Sequence, residues 1–155
     1  KEAVIADPEE GEFEFTLYDE DGDKVFTHAG DATYLFGGKE IRLEDPDFIQ
    51  GNQTDNTFAW LVMFPNEAVI APVELGESDF DAFISKNVYQ LFEDWGYGGS
   101  SSSIHFTEVN DNQLKAEFEL KLDLQPERVE HPVWGANVTI KGKFFAVCIS
   151  NDHCE

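Results

Sequence analysis

The sequence predicts a mainly β protein, an antiparallel β-sandwich or β-barrel of about eight to ten strands with one packed α-helix. Three observations carry this. From Ile104 to Leu124 apolar residues recur at every second position: Ile104 and Phe106, then Leu114, Ala116, Phe118, Leu120, Leu122 and Leu124. Lys115, Glu117, Glu119, Lys121 and Asp123 fill the gaps of the second half, the pattern of an antiparallel strand with one wet face. Second, Thr57–Phe64 and Phe144–Ile149 are apolar in both phases, which suits strands covered on both faces. Third, 14 Phe against a single Met is a bias towards sheet over helix.

Taken in order, residues 1–10 read as an acidic, unpatterned leader or a linker from an anchor, and 11–155 as one β-rich domain. Phe13, Phe15 and Leu17 alternate with Glu12, Glu14 and Thr16 in a first strand. Asp19-Glu20-Asp21-Gly22-Asp23 then turns the chain into Lys24–His28 by the Asp-Gly hairpin signal. Thr33–Phe36 and Glu40–Leu43 flank Gly37-Gly38 as a second hairpin. Glu44–Asn56 reads as a long polar loop, and Thr57–Phe64 as the central strand. Pro72 marks Ala68–Val73 as an edge or a strand end.

The helix is expected between Ser78 and Gly96. Ser78 offers an N-cap, and Asp79 and Asp81 favour the positive helix start. Phe80, Phe83, Ile84, Val88, Leu91, Phe92 and Trp95 fall at helical spacing, although Val88–Phe92 also reads as a short strand. Gly96–Ser102 is expected to be a flexible connection. Asn110-Asp111-Asn112 joins two strands of the closing sheet, and Pro126–Gly135 is a second long connection before the strand from Asn137.

Thirty-two Asp and Glu face ten Lys and Arg across the 155 residues, a formal charge of −22. No basic face exists to neutralise phosphates, which excludes nucleic-acid binding. No apolar run approaches the ~20 residues of a membrane helix. Three readings of the charge remain: a surface adapted to seawater or brine, capture of divalent cations such as Ca²⁺, or a decoy for a basic partner. Asp19, Asp21 and Asp23 are the candidate Ca²⁺ ligands. Their turn superficially resembles a calcium loop. Yet Gly22 stands at the fourth position from Asp19 and no Glu at the twelfth, so the EF-hand pattern fails and a plain hairpin turn competes.

Cys148 and Cys154 close the chain and are expected to pair as a disulfide, which a secreted protein would retain. A metal site of Cys148, His153 and Cys154 is the alternative; it lacks a second ligand pair at zinc-like spacing. No nucleophile elbow, phosphate loop or His-Glu-x-x-His helix occurs. The candidate ligand-binding residues are Trp95 and Tyr97 beside the Gly/Ser stretch, with His131 and Trp134 in the Pro126–Gly135 connection. Aromatics on loops at one end of a β domain can form a platform for a sugar or another flat ligand; core filling is the competing role. Two glycosylation triplets, Asn52-Gln53-Thr54 and Asn137-Val138-Thr139, matter only in a eukaryotic secretory pathway.

Ser103-Ile104-His105-Phe106-Thr107, Ala116-Glu117-Phe118 and Val138-Thr139-Ile140-Lys141-Gly142-Lys143-Phe144 resemble small secreted β domains of bacterial cell-envelope lipoproteins of unassigned function. The resemblance covers about a third of the chain. Ala116 stands where Gly is expected, and no catalytic residue transfers. It implies a secreted, periplasmic or outer-envelope location. The sequence expectation is therefore a non-catalytic module that binds carbohydrate or another extracellular ligand. An acidic inhibitor of the immunity or DNA-mimic type, and a lipocalin-like carrier, are the alternatives. An empty apolar barrel would favour the carrier; a filled one would leave the surface.

Overall fold

The computed structural model describes residues 7–51, 54, 56–86 and 95–149. Among these residues nine strands follow one another: β1 (Glu12–Tyr18), β2 (Lys24–Leu35), β3 (Glu40–Glu44), β4 (Trp60–Pro65), β5 (Val73–Leu75), β6 (Phe80–Ser85), β7 (Gly96–Asn110), β8 (Gln113–Leu124) and β9 (Asn137–Cys148). Eight of them close a ring in the order β1-β2-β3-β4-β6-β7-β8-β9, and β9 pairs back onto β1. Every neighbour in the ring is antiparallel. The fold is thus a closed β-barrel, with β5 added along β7.

Inward residues fill it. Phe13, Phe15 and Leu17 of β1 face Ile140 and Phe144 of β9, while Leu120 and Leu122 of β8, Ile104 and Phe106 of β7, and Ile41 and Leu43 of β3 complete the walls, all at most 1% exposed. An eight-stranded barrel has an interior just wide enough for such side chains to occupy. Gly142 sets the spacing at one point. A Cβ there would lie 2.5 Å from Cβ of Phe15 and from the Glu14 carbonyl oxygen, so β1 packs this closely only because its partner on β9 has no side chain.

Several expectations are corrected. The helix predicted from Ser78 is a strand at its start. Phe80, Ala82 and Ile84 point inward with period two, and Asp81 faces water. Positions 80 and 84 satisfy both periods, which is why the spacing misleads. Ser78 caps nothing: its carbonyl accepts from Asn66 Nδ2, and the Asp79 carboxylate accepts from the Gly76 amide, so the segment begins in a turn. Positions 87–94 lie outside the described residues. The Gly96–Ser102 stretch is the start of β7, paired with β6 and β8 through a bulge between Gly98 and Ser101. A five-residue helical turn, α1 (Pro46–Gln50), occupies the predicted polar loop instead. Asp45 caps it, Pro46 opens it and Gly51 closes it in the left-handed conformation.

The two ends of the barrel differ. One end carries the 19–23 turn, α1, and the 125–136 connection. The other carries a 3₁₀ turn (Phe36–Gly38), the 66–79 excursion and the 111–112 turn. Among the described residues no helix is long and apolar enough to cross a membrane.

Candidate functional site

Three arrangements of side chains carry chemistry. The first joins the four predicted ligand-binding residues. The 125–136 connection folds into the barrel mouth, where the His131 ring stacks on Trp134 at 4.2 Å and 14°, and Trp95 packs on Trp134 at 4.3 Å. Tyr97 lies 5.6 Å from Trp134, and Phe26 stacks on its far side at 6.1 Å. The four do converge, but none reaches the surface: Trp95 is 6% exposed, His131 1%, Tyr97 and Trp134 nil. They form a plug.

Its polar atoms are satisfied internally. The Tyr97 hydroxyl donates to the Gly135 carbonyl at 2.7 Å and accepts from the His131 amide at 2.9 Å. Nδ1 of His131 accepts the Val133 and Trp134 amides, which fixes the neutral ring as the Nε2–H tautomer. Trp134 Nε1 donates to Asn56. Burial pushes the Tyr97 hydroxyl up against the pull of the His131 amide, and Glu130 and Glu20 add to the rise.

The second arrangement is the predicted acidic turn, which touches the plug. Asp19, Asp21 and Asp23 hold carboxylate oxygens within 4.8 Å of one another, on a turn where Asp19 Oδ1 accepts the amides of Asp21 and Asp23. Between them Glu20 reaches across to accept the Ala136 amide, and its own amide donates to the Trp134 carbonyl. Gly135, at φ +83°, leaves room for this side chain: a Cβ there would sit 2.4 Å from Glu20 Cδ. Asp45, by contrast, is no surface ligand. It is fully buried, caps α1 and accepts the Phe58 amide, with one oxygen 2.7 Å from Nε2 of His28. His28 sits in turn among Phe13, Phe15, Phe26 and Phe58. His105 is on an outward, exposed position of β7, and His153 lies outside the described residues. So does Cys154, the predicted partner of Cys148 at the end of β9.

The third arrangement was not anticipated from sequence. The outward phase of β4, read as a face covered by another layer, is covered only in part among the described residues: Val62 is buried, but Phe64 is exposed. Trp60, Val62 and Phe64 form a strip on the barrel wall, joined by Phe83 of β6 in an edge contact with Phe64 at 6.0 Å. Phe64 is 38% exposed and Trp60 is half-buried. The Arg42 guanidinium lies 5.3 Å from the Trp60 ring centroid and pairs with Glu40. A shallow depression of about 150 Å³ runs between these six side chains. The signal was present as two-phase apolarity, which a double-layered sandwich and an exposed strip produce alike.

No family model, curated protein or solved structure matches this chain.

Proposed function

We propose that this protein is a non-catalytic binding module of the secreted or envelope-attached kind, which recognises a carbohydrate through the outer strip Trp60–Phe64–Phe83. The filled barrel carries the choice: with Phe13, Phe15, Leu17, Phe106, Ile140 and Phe144 packed inside, it argues against the lipocalin-like carrier and leaves the surface to do the binding. On that surface, aromatic faces beside a paired guanidinium and carboxylate suit a sugar, which offers an apolar ring face and hydroxyls at its edge. The plug residues Trp95, Tyr97, His131 and Trp134 are buried and are not the contact surface.

Affinity electrophoresis against soluble polysaccharides, with oligosaccharide titration by calorimetry, tests this. Trp60→Ala and Phe64→Ala are each expected to weaken binding about tenfold or more, with turnover absent throughout. Binding indifferent to both variants, or hydrolysis of the glycan, would sink the reading. The extracellular assignment also implies a Cys148–Cys154 disulfide, expected as a two-hydrogen mass loss in the non-reduced protein. Two free thiols by titration would remove that support.

A further inference from the structure

We propose that the exposed segment Ala68–Val73, at the barrel end opposite the plug, is the docking surface for a basic segment of a partner protein. Ala68-Val69-Ile70-Ala71-Pro72-Val73 is an unbroken apolar run, yet only Val69 is buried. Ile70 is 88% exposed and Val73 41%. Exposed runs of this length mark interaction sites, because nothing in the fold of the free protein repays their contact with water.

The segment is held in place. The Val69 amide donates to the Gly37 carbonyl at 2.8 Å, and its side chain packs over Gly38 beside Leu114. Asn66 is tied to Ser78 and Asp79 at the base of the excursion, and Val73–Leu75 pairs with β7. Ile70 therefore stands as a fixed knob between two grooves. One, of about 680 Å³, runs to Tyr34 and Val109–Asn112; the other, of about 530 Å³, runs to Leu75 and Asp79.

Charge selects the occupant. Among the described residues, the charged ones lining the two grooves are Asp111, Glu67 and Asp79, with no Lys, Arg or His. Glu74 and Glu77, both exposed, follow in the same excursion. A second copy of this chain would bring its own −22 charge against it, so self-pairing is opposed. Tyr34, the aromatic residue among the described lining, is only 4% exposed and offers a sugar little face. An apolar centre inside a carboxylate rim is complementary to aliphatic side chains flanked by Lys or Arg. Pro72 removes an amide from the run, so recognition is by side chains rather than by strand addition.

The test uses the whole chain, isotope-labelled, with a short synthetic peptide alternating lysine and valine. Peptides with lysine replaced by glutamate, or valine by serine, are the controls. At ~0.15 M salt the lysine–valine peptide is expected to shift the amides of Ala68–Val73 and Val109–Leu114 and to bind more tightly than either control. Ile70→Glu, a surface change, is expected to weaken it about tenfold or more although it adds a negative charge. Unchanged or tighter binding by Ile70→Glu would reduce the effect to bulk electrostatics and overturn the proposal. So would shifts confined to other surfaces, no binding, or a dimer abolished by the same variant. None of these outcomes bears on the aromatic strip, which Trp60→Ala reads separately.

Discussion

At the scale of single residues, Tyr97 ties together what the sequence left apart. Its hydroxyl holds the Gly135 carbonyl and the His131 amide, so Tyr97→Phe strands two buried backbone groups. A loss of roughly 1–3 kcal/mol is expected from denaturant melts. The pH dependence has a definite sign. The folded-state pKa of Tyr97 is raised, so its neutral form is the one the fold favours. Its contribution is therefore complete below the ordinary tyrosine value of about 10 and declines as pH rises through the folded value. Tyr34, raised by burial and by Asp111, acts in the same direction. Stability against pH should fall above about pH 10, less steeply in Tyr97→Phe than in the parent. Equal slopes would mean that Tyr97 ionises as freely in the fold as out of it. Sequence singled out Tyr97, Trp95, His131 and Trp134 as a set because each stood in or beside a loop-like stretch. It could not show that the 125–136 connection turns inward, since that depends on Glu20 and Asn56, distant residues with no pattern of their own.

Elements were legible where one face is wet, and misread where the environment departs from that rule. β1, β8 and β9 announce themselves by alternation, and the register that pairs Glu117 with Lys143 and Glu119 with Lys141 places opposite charges side by side on the outer wall. β6 and the start of β7 were misread, as helix and as linker. Phe80 and Ile84 suit either period, and the glycines of β7 signal flexibility unless a paired strand constrains them. α1 shows the converse. Asp45, Pro46 and Gly51 are ordinary helix punctuation, overlooked because the stretch between them is too short to show a period. Gly142 gives the element-level prediction. Gly142→Ala drives a methyl into the Phe15 side chain and the Glu14 carbonyl, and should cost about 1–3 kcal/mol by overpacking. Phe15→Leu keeps the Cα, the Cβ and the Glu14 carbonyl that the methyl meets, so adding it should recover none of that loss in thermal melts. Recovery by Phe15→Leu would show that the ring, rather than the backbone of β1, sets the limit.

Across the whole molecule, the charge of −22 is legible from composition, while its distribution needed the fold. Lys115, Lys141 and Lys143, three of the ten basic residues, stand on the β8–β9 wall paired with Glu108, Glu119, Glu117 and Asp7. The Asp19 turn and the 66–79 excursion, at opposite ends, keep an acidic excess. Repulsion of this kind is screened over ~8 Å at physiological salt and ~3 Å at 1 M, so stability should climb steadily with NaCl. The Asp19, Asp21 and Asp23 carboxylates, crowded within 4.8 Å, should add a response specific to Ca²⁺. Three carboxylates fill only part of a shell of roughly six to eight oxygens, and water must supply the remainder, so the affinity is expected to be weak, at ~10⁻⁴–10⁻³ M. The melting temperature in millimolar Ca²⁺ should exceed that in NaCl of matched ionic strength, and Asp21→Asn with Asp23→Asn should erase the difference. Because Glu20 links this turn to Ala136 and Trp134, Ca²⁺ should also slow amide exchange at residues 134–136. Equal shifts with the two salts would leave screening as the whole account and reduce the turn to a hairpin connection.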